Sequence, residues 1–293
     1  MTTVQLKPPA TMLIGATGTG KTYSITSMLR AGLEVFVLVT EPTGVETLID
    51  ACHEQKLDMS KLHWKLVKPA SDSLEVLLRQ AEISNRKSAG DMQKMETGLA
   101  KDQHQQYLKF LQACQNFTCD RDGKEYGDIT TWGPDRALVV DSLSGVNVMV
   151  SRNQCGNRLT MTQPEFGICQ NILENLLNAL TGLDCFFVLC VHPEYERDEV
   201  EGTNRVMAST LGKKLAPKIP RFFSEIIWTF KDDKRFLWST MKANVDTKNR
   251  ILPIANDLKP TFAPVVEGYN LRLKLMEVKN ESVETKENET EAA

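Results

Sequence analysis

Gly15-Ala16-Thr17-Gly18-Thr19-Gly20-Lys21-Thr22 fits the pattern G-x-x-x-x-G-K-[ST], whose glycines let backbone N–H groups curl around phosphate oxygens. The residues on either side supply the context this pattern needs. Thr11-Met12-Leu13-Ile14 before it reads as a buried parallel strand. Residues 23–29 after it read as a helix, ending near Arg30-Ala31-Gly32 in a basic turn and a glycine. Strand, glycine loop and helix N-terminus together form an anion cradle. Lys21 is expected to reach the β- and γ-phosphates of a nucleoside triphosphate, and the Thr22 hydroxyl to sit on Mg2+.

The 293 residues, 41% hydrophobic and 25% charged, can bury a sizeable core. No apolar run approaches membrane-spanning length and the first residues lack a signal-peptide pattern. The expectation is a cytoplasmic protein with no membrane partner. Several of the seven cysteines, Cys185 and Cys190 among them, fall inside apolar strand patterns as small core residues. Cys114 and Cys119 come closest to metal-ligand spacing, but no second Cys or His pair accompanies them, and no zinc site is expected there. The net charge of −3 divides unevenly, because residues 277–293 hold six Glu and two Lys. That segment reads as a disordered acidic tail, and residues 1–276 as a single domain.

Along the chain, Glu34-Val35-Phe36-Val37-Leu38-Val39-Thr40 reads as a second buried strand that carries Glu41 at its tip. A third strand spans 62–67. Residues 73–116 read as an inserted helical pair, with a pliable point near 88–90, and 117–132 as a hairpin turning at Arg121-Asp122-Gly123. Ala137-Leu138-Val139-Val140-Asp141-Ser142 is a buried strand ending in a carboxylate, the Walker B pattern, which places Asp141 on the Mg2+. Residues 144–163 read as loop, 164–180 as a helix, and 185–191 as a buried strand ending at His192. The segment 193–221 is acidic first and then basic (Arg205, Lys213, Lys214, Lys218, Arg221). A hairpin, 225–230 against 235–241, precedes Lys248-Asn249-Arg250 and a proline-punctuated end.

The glycine loop, the Glu41 strand, Val139-Val140-Asp141-Ser142 and the strand tipped by His192 occur in an order that resembles the RecA-like ATPase core. Residues 137–145 and Gly212-Lys213-Lys214-Leu215-Ala216-Pro217-Lys218-Ile219-Pro220-Arg221-Phe222-Phe223-Ser224-Glu225 look more narrowly like phage RecA-like nucleotide-binding proteins, including Sak-type single-strand annealing proteins. The resemblance spans residues 10–253. It implies an α/β fold: a mostly parallel central sheet flanked by helices, plus a C-terminal β-hairpin. It also implies ATP with Mg2+ as ligands, a ring or filament of identical subunits, and single-stranded DNA, with a single-strand-binding protein as a further partner.

Carried over residue by residue, the resemblance makes Glu41 the carboxylate that activates or orients the attacking water; otherwise it is a helix-capping or surface glutamate. His192 stands where the family usually has Gln, as a γ-phosphate sensor, or is a plain strand-end histidine. Lys248 and Arg250 match a Lys-x-Arg pair that reaches a neighbouring subunit's γ-phosphate, or form a solvated basic turn. DNA contact is implied for 144–163 and 194–216, which carry cations but no aromatic platform. The function expected is ATP binding and hydrolysis coupled to recombination or annealing of single strands. A nucleotide-dependent switch or assembly factor with a protein partner is the alternative, along with another DNA motor such as a helicase. A helicase would want a further domain, and a packaging motor a nuclease carboxylate cluster, and the sequence displays neither.

Overall fold

Runs of β-branched and aromatic residues with no polar alternation suit strands buried on both faces, and here they become the centre of a parallel sheet. The computed structural model describes residues 6–70, 72–93, 104–156, 158, 160–197, 204–212 and 214–291. In chain order the elements begin with β1 (Ala10–Ile14), α1 (Lys21–Ile25), α2 (Ser27–Arg30), β2 (Glu34–Val39), α3 (Gly44–Gln55) and β3 (Leu62–Leu66). Next come α4 (Leu74–Ser84), α5 (Ala89–Gln93), α6 (Gln106–Gln115), β4 (Arg136–Asp141), α7 (Leu143–Cys155), α8 (Gln163–Thr181) and β5 (Phe186–Val191). The chain closes with β6 (Pro193–Arg197), β7 (Asn204–Ala208), β8 (Glu225–Asp232), β9 (Arg235–Ser239) and α9 (Ala263–Glu291).

Seven strands form one sheet in the order β3-β2-β4-β5-β1-β8-β9. Every neighbouring pair is parallel except β8 with β9. Successive side chains alternate between two cores. Met12, Ile14, Phe36, Leu38, Leu138 and Val140 pack under α6, α7 and α8. Leu13, Val35, Val37, Val39, Val139 and Val188 pack under α1, α2, α3 and α9. The architecture is therefore α/β with a mostly parallel sheet covered on both faces. Among the described residues no helix is long and apolar enough to cross a membrane. All seven cysteines are free and buried.

Several elements differ from the sequence expectation. The helix expected over 23–29 breaks at Thr26, where Ser24, Thr26 and Ser27 donate their hydroxyls to the carbonyls of Lys21, Tyr23 and Ser24. Such back-bonding competes with the regular helical ladder. Residues 144–163, expected as loop, form α7 as far as Cys155. Gly145, Asn147, Ser151 and Asn153 are poor helix formers, but Leu143, Val146, Met149 and Val150 are buried on one face, and packing outweighs propensity.

The expected hairpin over 117–132 is a shorter ribbon. Phe117 N donates to Gly127 O (2.9 Å) and Tyr126 N to Phe117 O (2.8 Å), and a 3-10 turn over Ile129–Thr131 follows. The inserted segment contributes α4, α5 and α6, of which α6 joins the core through Phe110 and Cys114. Residues 94–103 of the insertion lie outside the described residues. The proline-rich end leads into α9, with Pro264 in its first turn, where a missing N–H costs nothing. Its Val265, Val266 and Tyr269 are core residues. The backbone of 277–291, expected as a disordered tail, continues α9; no glycine or proline after Gly268 interrupts it.

Candidate functional site

In an open parallel sheet, ligands bind beyond the carboxyl ends of the strands. Here the tips of β1, β2, β4 and β5 stand level. Val39 pairs with Asp141, Asp141 with Cys190, and Ile14 with Val191. Past these tips lies a cleft of about 360 Å3, walled by the glycine loop, Glu41, Asp141 and His192.

The loop is shaped by close approach. Gly15 N donates to Val191 O, and a Cβ at Gly15 would stand 2.1 Å from Thr229 Oγ1 and 2.4 Å from Thr229 O. Gly20 has φ +82°, and a Cβ there would meet Phe236 Cγ at 2.8 Å. Thr19 Oγ1 ties the loop to Thr229 Oγ1 at 2.8 Å. Thus β8 and β9 form the back wall of the loop, a contact the loop sequence alone does not reveal. Gly15→Ala is expected to cost about 3 kcal/mol by overpacking against the Thr229 backbone, read as a lower thermal midpoint. An unchanged midpoint would mean that β8 yields.

Lys21 is 6% exposed and donates from Nζ to Gly15 O (2.6 Å) and Ala16 O (2.9 Å). Burial lowers its pKa, against the opposing pull of Cys190, Asp141 and Glu41. Thr22 Oγ1 donates to Asp141 Oδ2 at 2.7 Å. Asp141 is 5% exposed, and desolvation raises its pKa, opposed by the Thr22 hydroxyl. Beneath it the Cys190 thiol is pushed well up by the same burial.

Glu41 is only partly covered. Its Oε1 accepts from Ser142 Oγ (2.5 Å) and lies 3.0 Å from His192 Nε2. The His192 hydrogen bond, then the Ser142 bond and the nearby positive charge, lower its pKa to about 2 against desolvation. Ser142 is itself locked to the neighbouring strand. Its N donates to Thr40 Oγ1, and Thr40 Oγ1 donates to Ser142 O, both at 2.8 Å.

The structure thus brings Lys21, Thr22, Asp141, Glu41 and His192 together. Lys248 and Arg250 lie elsewhere in their own chain. Lys248 bridges Ile226 near the N-terminal end of β8, opposite the glycine loop. Arg250 N and Ile251 N both donate to the buried Glu225 Oε1 (2.8 and 2.7 Å), which fixes the segment and leaves the two basic side chains exposed.

Sequence reasoning missed Ser142 as a Glu41 partner, Thr40 as its lock, and the aromatic pair Tyr23 and Phe236 at the cleft mouth (centroids 5.9 Å apart). The Ser142 signal was available, since it follows Asp141 at a strand tip. Phe236 gave none.

The donor types suit the expected ligands. Thr22 Oγ1 and Asp141 Oδ2 are neighbouring hard oxygens, the class that holds Mg2+. The glycine loop with its buried ammonium forms a concave cationic surface that a Cβ at Gly15 or Gly20 would fill. A scan against protein-family models finds no match to the chain, and a search of curated proteins finds none either.

The two segments expected to touch DNA are of different kinds. The first is largely α7. The second opens with the two-stranded β6–β7 hairpin, whose residues 198–203 lie outside the described residues. Its basic run is mostly paired: Arg205 with Asp246 (2.7 Å), Lys218 with Glu174 (3.3 Å), and Arg221 also with Glu174. Lys213 lies outside the described residues, and Lys214 is exposed.

Proposed function

We propose that this chain is a RecA-like P-loop ATPase that binds ATP with Mg2+ at the carboxyl edge of its sheet. One observation carries the reading: a buried lysine, a threonine hydroxyl and two carboxylates arrive from three separate strand tips at one cleft behind a glycine loop. Lys21 would hold the terminal phosphates, and Thr22 and Asp141 would hold Mg2+. The chemistry that ion supplies when bound is neutralisation of charge on the phosphate oxygens. Glu41 orients water, because a carboxylate fixed by two hydrogen bonds is already placed to accept one from it. The exposed Lys248 and Arg250 suit a role toward a neighbouring copy in an oligomer.

The product of this activity, on the family resemblance, is action on single-stranded DNA during recombination or annealing. His192 links the cleft to the segment that would respond, since β6 follows it directly and Ser209 N donates to His192 O at 2.8 Å. A second reading, a nucleotide-dependent switch with a protein partner, is favoured by the paired state of Arg205, Lys218 and Arg221, which leaves fewer cations for phosphates. Electrophoretic shift of labelled single strands, with and without a non-hydrolysable ATP analogue, separates the two. The DNA reading expects a nucleotide-dependent shift that weakens with salt. ATP hydrolysis without any shift selects the switch.

A further inference from the structure

Along the outer edge of the sheet, away from the candidate nucleotide cleft, the 117–127 ribbon lies across the edge strand β3. Asp120 N donates to Trp64 O (2.8 Å), and the Asp120 carboxylate holds Lys65 Nζ (2.6 Å) and Leu66 N (2.7 Å). This docking brings His63 of β3 against Cys119 and Asp122 of the ribbon, with one ligand atom of each within 4.8 Å of the others. His63 is 1% exposed and Cys119 is fully buried. The imidazole stacks on Phe36 (centroids 4.7 Å) and against Tyr126 (4.3 Å), so its ring plane is fixed.

The hydrogen-bond arithmetic of His63 is unusual. Nε2 lies 3.2 Å from Glu34 Oε1, and Arg136 Nε holds the other Glu34 oxygen at 3.0 Å. A carboxylate only accepts, so Nε2 carries a proton, and in the neutral imidazole Nδ1 presents its lone pair. That Nδ1 is buried without a hydrogen-bond partner. Facing it, 3.8 Å away, is Asp122 Oδ2, another acceptor. Arg121 already donates to that Asp122 oxygen but not to Nδ1, so the buried imidazole lone pair is left open to a cation that could bind both groups. The same Glu34–His63 contact is the carboxylate–histidine arrangement that orients metal-ligating imidazoles.

We propose that His63 Nδ1, Cys119 Sγ and the Asp122 carboxylate bind a zinc-class divalent cation that staples the 117–127 ribbon to the sheet edge. Nitrogen, sulfur and oxygen donors together suit Zn2+, and the thiolate disfavours Mg2+ and Ca2+. Ligands at about 2.0–2.3 Å from a tetrahedral ion stand roughly 3.3–3.8 Å apart. The His63–Asp122 separation of 3.8 Å stands at the upper end of this range, so both the carboxylate and the sulfur have to move inward. Binding releases the Cys119 thiol proton to solvent, and water takes the fourth position from the side where Asp122 is exposed. Asp122 Oδ2 now accepts from Arg121 Nη2 (2.9 Å) and weakly from Tyr126 Oη (3.4 Å), and Oδ1 accepts from Lys124 N (3.1 Å). Displaced from Asp122, the Arg121 guanidinium keeps the carbonyls of Met59 and Ser60. Cys114, which comes closest to metal-ligand spacing with Cys119 in the sequence, is not one of the three ligands. The histidine comes from a strand 56 positions before Cys119, which no local spacing marks.

The test is Co2+ titration of the full chain after chelator treatment, followed in the near-ultraviolet and visible. One Co2+ per chain is expected, with a thiolate-to-cobalt charge-transfer band and tetrahedral d–d bands, displaced by stoichiometric Zn2+. Cys119→Ser should abolish the charge-transfer band, and Asp122→Asn, an exposed turn substitution that spares the core, should weaken Co2+ at least about tenfold. Absence of the band in the wild-type chain overturns the proposal. So does a band that survives in folded Cys119→Ser, or wild-type affinity in Asp122→Asn. If Cys119→Ser does not fold, Asp122→Asn decides alone.

Discussion

Lys21→Ala should lose nucleotide binding while keeping its fold. The ammonium sits on Gly15 O and Ala16 O, between the loop and two carboxylates, and is the one lysine or arginine in the described lining of the cleft. Removing it leaves Asp141 and Glu41 facing a triphosphate with no lysine to offset them. A charge-assisted hydrogen bond is worth about 1.5–3 kcal/mol, and the triphosphate would take at least one from Lys21. The expected weakening is therefore at least about tenfold to a hundredfold from direct contact alone, and more once uncompensated carboxylate repulsion is counted. Isothermal titration with Mg-ATP measures it. Alanine is the best helix former at this first helical position, and no other side chain packs its hydrogen bonds on Nζ, so the thermal midpoint should stay close to that of the wild type. Unchanged affinity would remove the glycine loop from phosphate binding, whatever its sequence pattern.

What could be read in advance follows from where the decisive interactions lie along the chain. β2, β4 and β5 were legible because a strand covered by helices on both faces needs an unbroken apolar run, and the residue that ends the run sits at the ligand edge. This is why Glu41, Asp141 and His192 could be named from sequence and are found together. α7 was illegible for the opposite reason. Its glycine, asparagines and serines argue against a helix, and only burial of Val146, Met149 and Val150 under the sheet makes one. The break at Thr26 depends on hydroxyls that choose a carbonyl three residues back, a local competition that hydrophobic periodicity does not register.

Contacts between distant segments were the least accessible. Phe236 reaches the glycine loop through the β8–β9 register, and Asp246 and Glu174 neutralise a basic run that looked free for phosphates when read alone. His63 and Cys119 meet through a ribbon whose docking rests on Asp120, so no spacing motif marks them. A motif is readable where its residues are contiguous, or where each ends a strand. Partners supplied by another element need the fold.

Glu41→Gln is expected to separate binding from turnover. Glutamine keeps the size of the side chain and an oxygen that accepts from Ser142, so Lys21, Thr22 and Asp141 are undisturbed and Mg-ATP affinity should stay within about threefold of the wild type. Turnover should fall about 10²- to 10⁴-fold, the usual span for losing a positioned proton acceptor. The Glu41 pKa, lowered to about 2 chiefly by the His192 hydrogen bond, makes it a weak base. If the proposed ATPase reading holds, its main service would be to hold and orient water while phosphoryl transfer passes through a loose transition state.

The same shift has a consequence for stability. A carboxylate whose folded pKa lies below its ordinary 4.5 stabilises the fold above that value, and the contribution is lost as pH falls toward 2. Glu41→Gln should therefore flatten the wild-type loss of stability between pH 4.5 and 2, a readout independent of turnover. His192→Ala should act in the same direction, since it removes the largest cause of the shift. Wild-type turnover in Glu41→Gln, with the acid limb flattened as expected, would show that Glu41 and His192 are coupled as described and that the attacking water is positioned by another group.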